Sequence, residues 1–197
     1  MLALGSLIAS ACYALTIRAH LGLGPLFVIQ DGLSRKLGIS VGSAVIIVGV
    51  VMLAGTCLVR SWPGPGTVAI ILLGGVLIDA ILPHVPDLDG IWVRTFTVAG
   101  ATFVMTFGGA LIIIAGLGVH PLDGVMLGLV RILDRPVGAV RLALEASMLI
   151  VGALLGGAVG IGTLITCVLI GPGLQVWLRV LGADRGVVPM VMPEDPS

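Results

Sequence analysis

The sequence predicts an all-α, polytopic membrane helix bundle of about six transmembrane helices, arranged as two tandem, inverted repeats. Composition is the first observation behind that expectation. Of 197 residues, 58% are hydrophobic and only 10% are Asp, Glu, Lys or Arg, against roughly a quarter in an average soluble domain. Mean hydropathy is +1.22. Ten acids and ten bases cannot furnish the polar surface of a soluble fold this long. A soluble globular enzyme is therefore excluded. A nucleic-acid binder, which needs a basic face, is excluded by the zero net charge. The second observation is a set of six apolar stretches of spanning length, and the third is an internal repeat.

A span needs about 20 apolar residues, within a tolerated range of about 17–25. Segments 2–19, 39–59, 66–82, 91–115, 137–155 and 161–181 meet that requirement. The first has no basic flank before Arg18, so it is expected to be a membrane helix rather than a cleaved signal peptide. Two shorter segments, 25–37 and 121–133, follow the Gly/Pro breaks Gly22-Leu23-Gly24-Pro25 and Gly118-Val119-His120-Pro121. Each is too short to cross alone and is expected to form a re-entrant or interfacial half-helix. Trp62, Trp92 and Trp177 fall near span ends, where amphipathic rings belong. Residues 183–197 form a polar, Pro-containing tail expected to lack order.

The two breaks are 96 residues apart, and that offset aligns what surrounds them. Residues 15–82 laid over 111–178 give 22 identities in 68 positions without a gap. Repeat 1 then covers about 1–83 and repeat 2 about 91–182 of a single membrane domain. Three spans per half would insert the second half upside down relative to the first. Should the short helices cross as well, the halves would instead be parallel. A weak excess of basic residues on one side puts both termini in the cytoplasm.

Ionisable groups inside a membrane are costly and point to function by default. Asp123 stands in the first turn of the second short helix, where N-capping and ligand contact are both open. Arg141 and Glu145 are four residues apart on one face of the fifth span. They are either an internal ion pair or a coupling carboxylate with its counter-ion. Asp31 and Gln30 lie in the first short helix with Arg35 one turn on, which a solvated face explains equally well. Gly24, Pro25, His120 and Pro121 frame the two breaks, and with these polar residues they complete the set of substrate or translocation candidates. Asp79 is expected to be a helix-end interface residue. Cys12, Cys57 and Cys167 lie apart in apolar stretches, as small buried residues would. No catalytic triad, HExxH helix, Walker loop, GxGxxG fingerprint or metal-ligand spacing occurs, so neither enzymatic chemistry nor a metal or cofactor is expected.

Several of these motifs together are similar to those of the YczE/YyaS/YitT group of bacterial membrane proteins. The residues concerned are the two breaks with Gln30-Asp31-Gly32-Leu33-Ser34 and Pro121-Leu122-Asp123-Gly124, then Arg141-xxx-Glu145, Leu155-Gly156-Gly157, Gly160-Ile161-Gly162-Thr163 and Ile170-Gly171-Pro172. The resemblance runs from about Gly5 to Gly182 and implies a multi-span protein of the bacterial plasma membrane. It implies no substrate. In that group the segment after each break usually carries an Asp, which Phe27 replaces in the first half here.

Two functions lead what is expected from the architecture, with the substrate-capture subunit of a multi-component importer as a third. One is a small-solute permease with its site between the breaks. The other is a non-transporting accessory protein for a membrane or biosynthetic partner, presenting a Gly-rich stripe. Lipid and a small solute are the expected partners. The thirty glycines, for example Gly152, Gly156, Gly160, Gly124 and Gly128, are expected to pack helices within the chain. A homodimer through the same faces is the other use of such spacing.

Overall fold

Prolines open three of the helices. Pro25, Pro65 and Pro121 each stand in the first turn, where the missing N–H would have no intrahelical partner anyway. The computed structural model describes residues 1–60, 64–116 and 120–183. Trp62, Gly118 and the tail beyond Ala183 lie outside the described residues.

Among the described residues, eight α-helices follow in a long–short–long–long order that occurs twice. They are α1 (Leu2–Ala19), α2 (Pro25–Leu37), α3 (Val41–Leu58), α4 (Pro65–Ile81), α5 (Ile91–Ile114), α6 (Pro121–Leu133), α7 (Val137–Leu154) and α8 (Ile161–Val180). The six long helices are apolar and long enough to cross a membrane, α4 together with the 3-10 turn Leu82–His84 that extends it. The two short ones have 13 residues each, about 20 Å at 1.5 Å per residue, well short of the ~30 Å hydrocarbon core.

Helices α1 and α5 make the most extensive helix–helix packing in the bundle. Gly5 and Gly108 face each other there, and a Cβ on either would strike the other's carbonyl. α4 flanks α1, α8 flanks α5, α2 lies along α7, and α6 lies against α3 and α7. The buried clusters are correspondingly small. Tyr13, Ala14, Leu23, Val28 and Ile78 form one, and Cys12, Ala101 and Met105 another. Leu58, Leu154, Leu164 and Val168 point outward, as apolar residues of a lipid-facing surface do.

Several hydroxyls in the spans satisfy themselves locally. Thr16, Thr56, Thr106 and Ser147 donate to the carbonyl three residues back, and Thr166 to the one four back. Trp177 sits near the end of α8, packs tilted against the rings of Phe103 and Phe107 and donates from Nε1 to the Phe103 carbonyl.

The cysteines depart from expectation. Cys12 is buried, but Cys57 and Cys167 are exposed on the outer surface, where lipid rather than protein would cover a small apolar side chain. The glycines split as well. Gly152 is packed against Val28 and Ile29 of α2, Gly128 against Val59 and Gly160 against Leu21, whereas Gly156 stands in open space after α7.

Candidate functional site

The breaks before α2 and α6 bring two helix N-termini to one cavity of about 310 Å³ between the halves. Gly24 caps α2 in an extended conformation and His120 does the same for α6, each followed by its proline. All four of these residues line the cavity. So do Gln30, Asp123, Arg141 and Glu145, so eight of the nine candidate residues share one space. The remaining wall is mostly apolar, with Tyr13, Phe27, Met52 and Met105 among its larger side chains.

Charge in this cavity is confined to one side of the repeat. Arg141 Nε donates to Glu145 Oε1 at 3.0 Å along α7, the i,i+4 pair that their spacing allows. Asp123 makes no side-chain cap bond to α6, and no described group forms a hydrogen bond or ion pair with its carboxylate. Glu145 lies eight residues into α7, about 12 Å along the helix axis and too deep to snorkel easily. The residues that the 96-residue offset pairs with Asp123, Arg141 and Glu145 are Phe27, Val45 and Gly49. These also line the cavity and are all uncharged.

Asp31 belongs elsewhere. Its side chain is 6% exposed, accepts from Arg35 Nε at 2.8 Å, and accepts from the Ala158 N–H at 2.9 Å. It does not line the cavity. Its position one turn past Phe27 turns the carboxylate away from that space and onto the α7–α8 connection. There it satisfies a backbone donor that the chain reversal leaves unpaired. Neither a solvated face nor ligand contact describes it.

Two features had weaker sequence signals. Asp79, in the last turn of α4, accepts from the Gly42 N–H at 2.7 Å and from the Ser40 hydroxyl at 2.6 Å. Asp79, at the helix end as expected, therefore ties α4 to the start of α3. A lone acid in an otherwise apolar helix was the available clue. Tyr13 stacks on Phe27 with ring centroids 4.1 Å apart, and its hydroxyl donates to the Phe27 carbonyl at 3.4 Å. The one tyrosine of the chain, set in an apolar helix, was the signal there.

A long-helix bundle with an apolar outer surface, two half-helices and a central cavity defines an integral membrane protein. The chain belongs to the family of unknown function DUF6198, whose pattern matches residues 1–179. Relatives include the uncharacterised membrane protein YczE of Bacillus subtilis, 31% identical over 176 residues that cover 85% of this chain and 79% of YczE. YyaS of the same organism is 30% identical over 196 residues, covering 90% of each chain. An uncharacterised protein of Haemophilus influenzae is 28% identical over 168 residues, 85% of this chain and 77% of its own. No solved structure matches.

Proposed function

We propose that the protein is a small-solute permease of the bacterial plasma membrane whose two inverted halves expose the central cavity to one side at a time. The observation that carries this is unequal closure of two seams around one cavity. In the first half, α3 packs along α4, and a Cβ on Gly42 would strike the Gly75 carbonyl. In the second half, α7 does not pack along α8, although residues of both line the cavity. The offset pairs Gly42 with Gly138 and Gly75 with Gly171. A Cβ on either of these would meet no other described atom within 4 Å. The second half thus carries the glycine pair for a seam that is not formed. Closing α7 on α8 while α3 parts from α4 exchanges the two roles, which is the rocking of one repeat against the other.

A two-fold relation between the halves, which the inverted arrangement requires, is supported by the way partners cross between them. α2 lies on α7 and α6 on α3. Gly32 of α2 backs onto Gly152 and Leu155, and Gly128 of α6 backs onto Val59. The offset relates 32 to 128 and 59 to 155. An accessory protein would instead need a free Gly-rich stripe, and of Gly152, Gly156 and Gly160 the first is covered by α2 and the last by Leu21, which leaves Gly156 alone open.

The test begins from a chain with Cys12, Cys57 and Cys167 replaced. Single cysteines at Ser34 and Asp134 should label from opposite faces of intact cells with an impermeant thiol reagent. Labelling from the same face would overturn the inverted arrangement. Gly138→Cys combined with Gly171→Cys should cross-link under mild oxidation, trapping the closed seam. A chain in which that pair never cross-links does not alternate as proposed. In vesicles, uptake that neither Asp123→Asn nor Glu145→Gln alters would sink the role of the cavity.

A further inference from the structure

The chemistry of the cavity restricts what can occupy it. Among the described residues Arg141 is the only arginine or lysine that lines it, and Arg141 already pairs with Glu145. Asp123 is therefore left without a hydrogen-bonded or ion-paired partner among the described residues, the imidazole of the cap residue His120 being its electrostatic neighbour. An uncompensated charge in a low-dielectric space is costly, and either a proton or a cation must relieve it. An anionic ligand would add to that cost, meeting two carboxylates and a single arginine whose charge is already matched.

Three further features select among cations. Gln30 is 5% exposed, lines the cavity and has no hydrogen-bond partner on Oε1. Ser6 is 3% exposed, lines the same space, and its Oγ is equally unpartnered. Buried polar atoms rarely go unsatisfied, so these two are suited to a ligand's polar group. The stacked Tyr13–Phe27 pair presents aromatic surface to the same cavity, and ring faces attract organic cations. The volume, about 310 Å³, stands at the small end of the ~300–1,000 Å³ typical of ligand pockets. It suits an organic molecule rather than a bare metal ion, and no cluster of three metal-ligating side chains occurs among the described residues.

Charged side chains on the second half and aromatic surface on the first also orient the guest. We infer that the cavity binds a small, part-apolar organic monocation. Its charge rests on Asp123, its apolar body lies against Tyr13 and Phe27, and its hydrogen-bonding group reaches Gln30 and Ser6. This rests on the permease proposal only for the statement that such a cation is carried; binding stands by itself.

The test uses the purified full chain in detergent and titration calorimetry with three probes of one size class. These are the tyramine cation, neutral benzyl alcohol and anionic benzenesulfonate, each with a hydrogen-bonding group. The cation should bind to the wild type, the other two at least tenfold more weakly. Asp123→Asn should weaken cation binding about tenfold or more, the loss of one favourable charge contact, while Asp87→Asn, remote from the cavity, should not. Equal or tighter binding of the neutral or anionic probe overturns the inference, as does absence of cation binding or an unchanged Asp123→Asn affinity. The comparison among probes on the wild type needs no variant to fold. Vesicles containing the protein separate the two proposals. If the cation binds but is never moved, the permease proposal fails and the binding inference stands. If benzenesulfonate or benzyl alcohol is carried instead, the inference fails and the permease proposal stands.

Discussion

The seam between α3 and α4 and the gap between α7 and α8 are built from related sequence, yet only the first is closed. Both halves carry the glycine pair that lets two helices touch, Gly42 with Gly75 and Gly138 with Gly171. What differs is the fastening. Asp79 accepts from the Gly42 N–H and the Ser40 hydroxyl. The offset puts Gln175, Gly138 and Pro136 in the corresponding places, so the second half lacks both the carboxylate and the hydroxyl. α8 also carries Pro172 in its interior, which removes a backbone hydrogen bond and favours a bend, where α4 has Val76. Small residues therefore permit a close helix contact here, and a charged hydrogen bond decides whether it holds.

The sharpest way to break this comparison is to add bulk to each seam in turn. Gly42→Val drives a side chain into the Gly75 carbonyl and Asp79. It should lower stability by about 1–3 kcal/mol, the range for overpacking a well-packed contact, read as a lower unfolding midpoint in detergent. Gly138→Val meets open space and should stay within about 0.5 kcal/mol of the wild type, yet it should stop closure of α7 on α8. Equal losses from the two variants would mean that both seams are closed in the native protein.

The two acids of the short helices give the next contrast. Asp31→Asn leaves the Ala158 N–H and Arg35 with a weaker acceptor, and a buried bond to a charged group is worth about 1.5–3 kcal/mol. Asp123→Asn removes an unpartnered charge and should cost no stability. Circular-dichroism melts of both variants check this, and a larger loss from Asp123→Asn would reverse the roles assigned to them. Asp79→Asn comes third at about 1–2 kcal/mol, because the α3 end that it holds is partly open to solvent and water can replace the lost bonds. It should also raise thiol labelling of a cysteine placed at Val45, on the α3 wall of the cavity.

Span length and Gly/Pro punctuation made most of the fold legible. The six long helices begin and end within about two residues of the segments that hydropathy marks out, because lipid leaves a backbone little choice but the helix. The cavity was legible in outline, since both breaks and the α7 pair were identified as its frame. Asp31 was not. Its neighbours Gln30 and Arg35 suggest a polar face, and only the fold of the α7–α8 connection reveals that the face is covered. Asp79 escaped for a related reason, since its partners Ser40 and Gly42 lie some forty residues away in sequence. One-dimensional pattern reports which residues are out of place in lipid, and tertiary structure reports what each is bonded to.

The smallest effect tests a fastening that joins the first half to the segment linking the two. Arg18 Nη1 and His20 Nε2 both reach Asp87 Oδ1, at 3.1 and 3.4 Å, and Arg18 Nη2 donates to the Leu82 carbonyl. The offset pairs Arg18 with Ile114 and His20 with Gly116, so α5 ends without an equivalent. The His20 hydrogen bond, and after it the Arg18 hydrogen bond and charge, hold the Asp87 carboxyl below its usual 3.8. A depressed carboxyl pKa means that the folded state binds its proton less readily than the unfolded chain. The stabilisation is therefore present above the ordinary carboxylate range and is lost as pH falls through the folded value. Asp87→Asn should lower the unfolding midpoint slightly at about pH 7, and the difference from wild type should shrink towards about pH 3. Solvent and salt screen so exposed a pair, so added salt should narrow the difference at neutral pH as well. A midpoint difference indifferent to both pH and salt would show that Asp87 acts through the local backbone turn, and that charge does not hold the end of α1 to the link between the halves.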